Sequence, residues 1–402
     1  MKNYFNLGMV TALILGGIIG FADLPSIHAI FDVLSRLFIN MLKLISLPMI
    51  FLAIVSTLSR MTSLNEAGVL LKKILKYTIF TTLIAATIGM ILFLIIQPIK
   101  AGEVATKVLP TQGSYLSFIV NIIPENPVQP FLENNVLGMA FLATIFSFAI
   151  LKLPQKQGNL LRDLFGALFD ALLKITSALI LLMPIGVFGF TIQFIQSIKE
   201  NAHQLQQLLF YGLCVIGANL IQGFIVLPLM VKLKGGSPLK TAKGMLPALA
   251  MAFFTKSSNA SLPLALDCAK NRLGISDKTA SFSLPLCSII NMNGCAAFIL
   301  ITLFFVCSSQ GIVFTPWEMI PWIFLSSFAA IGNAGVPMGC FFLTTAFLVG
   351  MGVPVKIMGI ILPLYSLFDM VETALNVWSD SCITTIVDKD LSPANVSVVE
   401  AK

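Results

Sequence analysis

Long apolar runs separated by short polar segments make up most of the chain. A helix needs about 20 apolar residues to cross the hydrocarbon core of a membrane, which is roughly 30 Å thick. The pattern therefore predicts an all-α, polytopic membrane protein with about eight transmembrane helices. We place these helices at 4–22, 34–59, 70–97, 137–152 (with a shorter apolar piece at 115–123), 161–197, 206–231, 279–307 and 353–386.

The composition indicates the same class of protein. Of the 402 residues, 57% are hydrophobic and 11% are charged, whereas an ordinary soluble domain carries roughly 25% charged residues. Because so few charges cannot cover a water-soluble protein of this size, the expected surroundings are a lipid bilayer. The net charge of +7 comes without a basic run interleaved with aromatic residues, so no nucleic-acid partner is expected.

The basic residues are unevenly distributed between the connections. One set of connections is rich in lysine and arginine, at 72–76, 152–162, 232–243 and 270–278, whereas the alternate set, at 23–28, 100–107, 199–200 and 318, carries few. Basic connections face the cytoplasm in multi-pass proteins. The pattern predicts a protein of the cell inner (plasma) membrane with both termini in the cytoplasm.

Two apolar segments are interrupted by polar or small residues and are too short to cross the membrane on either side of the break. The first break lies at 255–261 and the second at 330–335. The charge pattern predicts two re-entrant hairpins that enter from opposite sides. Non-helical backbone at membrane depth is tolerated only against protein or a water-filled cavity. Two such breaks in corresponding places are typical of a transporter's binding site.

The last long segment carries polar residues on one face. At about 100° per residue, one stripe of the helix contains the side chains of Asp369, Glu372, Thr373, Asn376 and Asp380. Intramembrane carboxylates are costly and almost always face a cavity or a partner. The segments around them offer few bases, so the stripe is expected to face cations, protons or a positively charged solute. A structural salt-bridge network is the alternative.

A second polar break interrupts the predicted helix at 279–307, where Asn291, Asn293 and Gly294 follow an apolar turn. Carboxamides beside a glycine in an apolar span indicate an unwound turn whose oxygens face an ion. Hydrogen bonding between helices through the asparagines is the alternative interpretation.

The cysteines and histidines form no recognisable metal motif. The chain has seven cysteines and two histidines, His28 and His203, with no Cys-x-x-Cys pair. This spacing predicts no zinc site. Disulfides stay possible, but buried small hydrophobic side chains are the expectation for the cysteines.

Four of these features together resemble the dicarboxylate/amino acid:cation symporter family, the bacterial glutamate transporter homologues. They are the serine-rich tip at 255–258, the motif at 291–294, the tip at 332–337 and the stripe at 369–380. The resemblance implies a homotrimer that moves its cargo by an elevator motion. It also implies scaffold helices in 1–235 (with the helix near 70–97 contributing to transport), a transport core in 236–388 and a cytoplasmic tail in 389–402.

The resemblance also implies roles for individual residues. The residues implied to bind a small amino-acid-like substrate are Ser257, Ser258, Asp369, Thr373 and Asn376, and Gly335 and Val336 would close the outer gate. Those for a first sodium ion are Asn291, Asn376 and Asp380, and those for a second are backbone oxygens near Ile289, Ala330, Ile331 and Asn333. Thr81 and Thr82, with position 293, match a third.

The chain departs from the family pattern at four places, one of which is Thr78, where the family has an aromatic hydroxyl three residues before Thr81. Glu372 stands where family members that carry acidic substrates have an arginine, Asn293 replaces an aspartate, and Lys256 replaces an arginine. A carboxylate at 372 favours a substrate with a second cationic group, such as lysine, ornithine or arginine. The asparagine at 293 removes a negative charge from the third sodium region.

Two other interpretations stay possible at this point. A neutral amino acid or a dicarboxylate would require Glu372 to be protonated or paired with Lys256, and Glu372 would then couple transport to protons. Sodium is the preferred coupling ion, with H⁺ as the alternative. An ion channel is an alternative from outside this class, and the sequence contains no motif that predicts an enzyme.

Overall fold

The computed structural model describes residues 2–22, 25–59, 68–99, 123–133, 135–200, 203–331, 333 and 338–391. All regular secondary structure within these ranges is helical. The apolar piece at 115–123, except its last residue, and the predicted gate residues Gly335 and Val336 lie outside them. The all-α prediction is therefore confirmed for the described residues.

Sixteen helices are numbered here in chain order. The first eight are α1 (Lys2–Phe21), α2 (Pro25–Leu58), α3 (Gly68–Ile96), α4 (Gln129–Leu132), α5 (Val136–Lys152), α6 (Gln155–Leu181), α7 (Met183–Glu200) and α8 (His203–Ile221). A π turn at Gln222–Val226 leads from α8 directly into α9 (Leu227–Leu233). The others are α10 (Pro238–Thr255), α11 (Ser258–Asp267), α12 (Asp277–Ile290), α13 (Asn293–Ser309), α14 (Pro316–Ile331), α15 (Gly339–Gly350) and α16 (Lys356–Leu391).

Four segments within the described residues are long and apolar enough to cross a membrane, namely Val69–Ile96, Gln204–Leu233, Asp277–Ser309 and Lys356–Leu391. They coincide with four of the predicted spans. The predicted total of about eight crossings stays a prediction. The apolar run at 161–197 was expected to be one span, but α6 ends at Leu181 and α7 begins at Met183. Pro184 in the first turn of α7 explains the break, because its ring cannot continue the preceding helix.

Two of the three polar breaks predicted in the second half of the chain, at 255–261 and 291–294, interrupt helices as expected, and the third, at 330–335, lies partly outside the described residues. Lys256 adopts a left-handed conformation with φ of 55° between α10 and α11, and these two helices pack against each other as a helical hairpin. Asn291 and Met292 form a non-helical link between α12 and α13. The re-entry of either hairpin into a membrane stays a prediction.

The centre of the structure is α13. All of its residues from Asn293 to Cys307 are buried, and it packs against α3, α8, α14, α15 and α16. Around a second centre, α2 packs against α5, α6 and α7, and α1 packs against α7. The two groups meet where α15 contacts α2 and where α16 contacts α7. Helix α13 is thus enclosed by protein.

The C-terminal end of α16 is fastened to three other elements by polar contacts. Tyr77 on α3 donates a 2.6 Å hydrogen bond to the carboxylate of Asp390, and Lys234, just after α9, lies 3.6 Å from the same group. Ser276, which caps α12, donates a 2.6 Å hydrogen bond to Asp388. The side of the molecule with the Lys-rich connections is therefore held together by the last turns of α16.

Close packing of α1 on α7 depends on glycine. A Cβ atom at Gly16 would lie 2.8 Å from the carbonyl oxygen of Phe188 and 2.9 Å from Cβ of Thr191, whereas a Cβ atom at Gly17 would meet nothing within 4 Å. Small residues let helices in a membrane approach each other closely. Gly16 is thus a contact position, and Gly17 is not.

We expect Gly16→Leu to separate α1 from α7 and to lower the thermal unfolding temperature of the detergent-purified protein. Overpacking of this kind costs about 1–3 kcal/mol. Gly17→Leu, one position away, is the matched control and should leave the unfolding temperature nearly unchanged. An equal loss in both variants would contradict the packing of α1 described above.

Candidate functional site

One pocket brings together residues from four separate parts of the chain. It is lined by the α10–α11 turn (Lys256, Ser258), the α12–α13 link and first turn of α13 (Met292, Cys295), Asn333, and α16 (Asp369, Glu372, Thr373, Asn376). Five of the residues predicted to bind substrate, Ser258, Asp369, Glu372, Thr373 and Asn376, therefore share one cavity.

The carboxylates of the predicted stripe on α16 are buried. The side chains of Asp369, Glu372 and Asp380 are 7%, 1% and 2% exposed. Among the described residues, no lysine or arginine nitrogen lies within 4.0 Å of these three carboxylates. A fixed salt-bridge network, the alternative raised by the sequence, is thus absent from this part of the chain.

Glu372 is the least satisfied of the three. Neither of its oxygens has a hydrogen-bond partner among the described residues. Asp369 has a weak contact, since the hydroxyl of Tyr365 lies 3.5 Å from its Oδ1. A buried carboxylate without a donor is costly, so this end of the pocket favours a cation or a proton.

The position of Glu372 depends on Gly294. A Cβ atom at Gly294 would lie 2.9 Å from Cα of Glu372 and 2.8 Å from the side-chain oxygen of Asn219 on α8. Only glycine permits so close an approach of α13 to α16. The glycine of the 291–294 motif therefore has a packing role, beside the unwound turn that was predicted.

Among the described residues that line the pocket, one side chain is cationic, and it reaches the pocket from the α10–α11 turn. The ammonium group of Lys256 donates a hydrogen bond to the hydroxyl of Ser366, which lies on α16 about one turn before Asp369. Lys256 is thus near Asp369 rather than bonded to Glu372. Ser258 is 4% exposed and lines the pocket, whereas the hydroxyl of Ser257 accepts from the backbone N–H of Ala260 and caps α11.

The asparagine link between α12 and α13 meets the end of the acidic stripe. The amide nitrogen of Asn291 donates 2.9 Å hydrogen bonds to Asp380 Oδ1 and to Ser379 Oγ. The oxygen of Asn376 accepts from the backbone N–H of Gly294 at 2.9 Å. Two of the three residues expected to bind the first sodium ion, Asn291 and the buried Asp380, thus meet directly, whereas Asn376 contacts the first turn of α13.

Asn293 joins the same network from the other side. Its amide nitrogen donates to Asn291 Oδ1 at 2.8 Å and lies 3.4 Å from Thr81 Oγ1, and its oxygen accepts from Gln222 Nε2 at 2.8 Å. Thr82 donates to the carbonyl oxygen of Thr78 on its own helix. The structure thus brings Asn293 and Thr81 together. The neutral amide of Asn291 lies between them and Asp380.

The residues expected at the second sodium ion lie near one another. The side chains of Ile289 and Ile331 pack on the same apolar cluster, and the carbonyl oxygen of Ala330 accepts a 3.1 Å hydrogen bond from the backbone N–H of Asn333. Their roles in ion binding stay predictions.

Sequence reasoning missed several contributors to the site, three of which contact the residues predicted to bind ions. Gln222 and Ser379 are polar residues in apolar segments, a signal that could have been used. The third is the pair Cys295 and Cys340, which is joined as a disulfide with Cα atoms 5.5 Å apart. The expectation of separate small hydrophobic side chains is wrong for this pair. It fits the five other cysteines, which are buried and free: Cys214, Cys268, Cys287, Cys307 and Cys382.

We expect Gly294→Ala to displace Glu372 and to destabilise the protein by about 1–3 kcal/mol, because the new methyl group meets helix backbone. Gly212→Ala on α8 is the control, since its Cβ would lie 3.6 Å from the nearest atom of Phe368, an ordinary contact. Thermal unfolding in detergent measures both. Equal stability of the two variants would show that α13 does not approach α16 this closely.

Comparison with known proteins agrees with the geometry. A model of the sodium:dicarboxylate symporter family matches residues 5–390. The chain is similar to excitatory amino acid transporter 3 of Mus musculus, with 26% identity over 439 residues, covering 95% of this chain and 83% of that protein. It is also similar to the putative sodium-dependent excitatory amino acid transporter glt-4 of Caenorhabditis elegans (24% over 406 residues, covering 88% and 81%).

A further relative is neutral amino acid transporter B(0) of Mus musculus, with 25% identity over 419 residues that cover 90% of this chain and 75% of that protein. These relatives are transporters and not enzymes, as expected. The resemblance seen in the four sequence motifs is confirmed. The chain belongs to the sodium:dicarboxylate symporter family, whose members are sodium-coupled membrane transporters of amino acids and dicarboxylates.

Proposed function

We propose that this protein is a cation-coupled symporter for a cationic amino acid such as lysine, ornithine or arginine. The observation that carries the proposal is the carboxylate of Glu372, which is buried, lines the pocket and has no hydrogen-bond partner among the described residues. It lies on the same helix face as Asp369, three residues away. Two carboxylates on one wall of a pocket suit a solute with two ammonium or guanidinium groups.

The charge of the pocket supports this substrate class. When all three groups are ionised, Asp369 and Glu372 exceed the single positive charge of Lys256 by one negative charge. A cationic amino acid carries one net positive charge and would neutralise the pocket. A neutral amino acid would leave one buried negative charge, and an anionic one would leave two, which is costly in a low-dielectric site.

The proposed orientation follows from the same charges. The α-amine of the substrate binds Asp369, and the α-carboxylate lies toward Ser258 and Asn376. The cationic end of the side chain then reaches Glu372. An arginine at position 372 would attract a side-chain carboxylate, whereas the glutamate repels one, so the replacement changes the substrate class.

Sodium is the proposed coupling ion, bound by the oxygens of Asn291, Asn376 and Asp380. The support is the charge of Asp380, which is 2% exposed and has no lysine or arginine near it among the residues described. Sodium prefers oxygen ligands of this kind, as other hard cations do. At Asn293 the amide oxygen accepts from Gln222, so we propose fewer sodium ions than an aspartate there would allow.

A neutral amino acid is the second candidate substrate. One relative is named a neutral amino acid transporter, and Glu372 could then carry a proton and couple uptake to pH. A dicarboxylate would need the same protonation and leaves more charge unbalanced. A channel is disfavoured because, within the described ranges, the buried polar residues converge on one small pocket and do not form a continuous stripe shared by several helices.

We also propose a homotrimer with an elevator motion, with scaffold helices in 1–235 (apart from the contribution of α3), a transport core in 236–388 and a cytoplasmic tail beyond it. The support is the division of helix packing between the group around α2 and the group around α13, in which α3 packs against α13. The hairpin at α10 and α11 would re-enter the membrane from the cytoplasmic side, which also places both termini there.

We expect Glu372→Gln to lower the initial rate of lysine uptake into proteoliposomes by roughly 10- to 100-fold. A charge-assisted hydrogen bond contributes about 1.5–3 kcal/mol, and about 1.4 kcal/mol corresponds to a factor of ten. Asp163→Asn, which removes an exposed carboxylate on α6, is the control and should keep the wild-type rate.

The competing substrate classes give different results in the same assay. If Glu372 couples a neutral amino acid to protons, Glu372→Gln retains uptake of that amino acid and changes mainly its pH dependence. Glutamate uptake by the wild type with no response to lysine, ornithine or arginine would refute the cationic class altogether.

A separate prediction concerns sodium. A ligand that binds only the folded state raises apparent stability by mass action, so replacing choline by sodium should raise the unfolding temperature of the wild-type protein. Asp380→Asn should remove this increase, because the ion loses its only buried charge, while Asp163→Asn should retain it. Equal stability of the wild type in sodium and in choline, with equal uptake, would contradict sodium coupling.

A further inference from the structure

A second set of ligand-type side chains lies at the Glu372 end of the pocket. Cys295 is in the first turn of α13, Cys340 is in the first turn of α15, and Glu372 is on α16. The two sulfur atoms and a carboxylate oxygen all lie within 4.8 Å of one another. The three side chains are 2%, 1% and 1% exposed. No other such group of His, Cys, Asp or Glu occurs among the residues that the structure describes.

We propose that, once the disulfide is reduced, Cys295, Cys340 and Glu372 form a binding site for a thiophilic divalent cation of the zinc class. A phosphine or dithiol reductant supplies two electrons to the S–S bond, and two protons complete the two thiols. A divalent cation then replaces both thiol protons, which are released to solvent, and the carboxylate completes the set of protein ligands.

The donor atoms fit this class of ion. Zinc binds cysteine sulfur at about 2.3 Å and carboxylate oxygen at about 2.0–2.2 Å. These lengths require ligand atoms that lie within a few ångströms of one another, as the two sulfurs and the Glu372 carboxylate do. Thiolate ligands select soft or borderline ions, whereas sodium and magnesium prefer oxygen. Three protein ligands leave one position of a tetrahedral ion free.

Two amide side chains support the sulfur atoms. The amide nitrogen of Asn333 lies 3.1 Å from Cys295 Sγ and 3.4 Å from Cys340 Sγ, and that of Asn376 lies 3.4 Å from Cys295 Sγ. Donors beside ligand atoms are the usual outer shell of a metal site, since they stabilise the thiolate form. The side chain of Asn333 fits there because residue 339 is a glycine. A Cβ atom at Gly339 would lie 1.5 Å from the Asn333 oxygen.

Unpaired polar atoms at the same place are available to a cation. Among the residues described, both side-chain oxygens of Glu372 and the side-chain oxygen of Asn333 lack a hydrogen-bond partner. Both side chains are more than nine-tenths buried. Two thiolates and this carboxylate would carry three negative charges in a buried site, which a divalent cation largely neutralises.

The test measures metal binding by the purified full-length protein, so it needs no transport. We expect the protein reduced with a phosphine to bind one Cd²⁺ per chain, seen as a sulfur-to-cadmium charge-transfer band in the ultraviolet, and to bind Zn²⁺ in competition. The unreduced protein should give no band. Cys295→Ser and Cys340→Ser should abolish the band, and Glu372→Gln should weaken binding at least tenfold.

Cys307→Ser, which changes a buried free cysteine elsewhere on α13, is the matched control and should keep the full band. A second measurement avoids variants altogether, since bound Cd²⁺ should protect Cys295 and Cys340 of the reduced wild type from alkylation as read by mass spectrometry. Reduced wild type that gives no band and no protection would overturn the proposal. So would equal loss of the band in Cys307→Ser and in the two ligand variants.

Because Glu372 also belongs to the proposed substrate pocket, one consequence rests on the proposed function: Zn²⁺ should inhibit lysine uptake only after reduction. The two proposals fail separately. Metal binding without lysine uptake would refute the substrate class alone, and lysine uptake by a protein that binds no metal would refute the metal site alone.

Discussion

Three buried carboxylates on one stripe of α16 constrain the rest of the structure. Ionised Asp369, Glu372 and Asp380 are costly away from water unless a positive charge lies beside them, and no described lysine or arginine nitrogen is within 4.0 Å of them. The neighbouring groups are mostly neutral amides, such as Asn291 beside Asp380. Amides stabilise a carboxylate without neutralising it, so the charge of each ionised carboxylate is left for a mobile cation or a proton to neutralise. A lysine beside each carboxylate would stabilise the ionised side chains of α16 more strongly and would leave no negative charge for a mobile cation to neutralise.

The break between α12 and α13 brings polar groups of this segment into contact with the stripe. Because the chain leaves helical geometry at Asn291 and Met292, the Asn291 side chain reaches Asp380 while the N-terminal end of α13 faces Asn376. Gly294, one residue into α13, then lets the backbone of Glu372 approach to contact distance. The break and the glycine therefore act together, since the break brings a hydrogen-bond donor to Asp380 and the glycine sets the distance between α13 and Glu372. A continuous helix with a larger residue at 294 would lose both.

Local sequence patterns predicted the parts of the site that lie close together along the chain. The stripe at 369–380 follows from helical spacing alone, and the break at 291–292 follows from amides and glycine in an apolar run. Contacts between distant segments were not predictable in this way. Gln222 gave only the weak signal of one polar residue in an apolar helix. The pair Cys295 and Cys340 gave none, because 45 residues and a change of helix separate them. At 161–197 the sequence predicted one long apolar segment, whereas the helix is interrupted between Leu181 and Met183, next to Pro184.

Glu372 lies where the two proposed cation sites overlap. Toward Asp369 it faces the pocket proposed for an organic ammonium group, and toward Cys295 and Cys340 it faces two sulfur atoms. One carboxylate in a low-dielectric site compensates about one positive charge, so an organic cation, a proton and a metal ion exclude one another there. The disulfide form of the cysteine pair carries no charge, so Glu372 stays available to the proposed organic cation. The dithiolate form would add two negative charges next to Glu372 and would make a divalent cation the better partner. The oxidation state of Cys295 and Cys340 would then decide which cation the pocket selects.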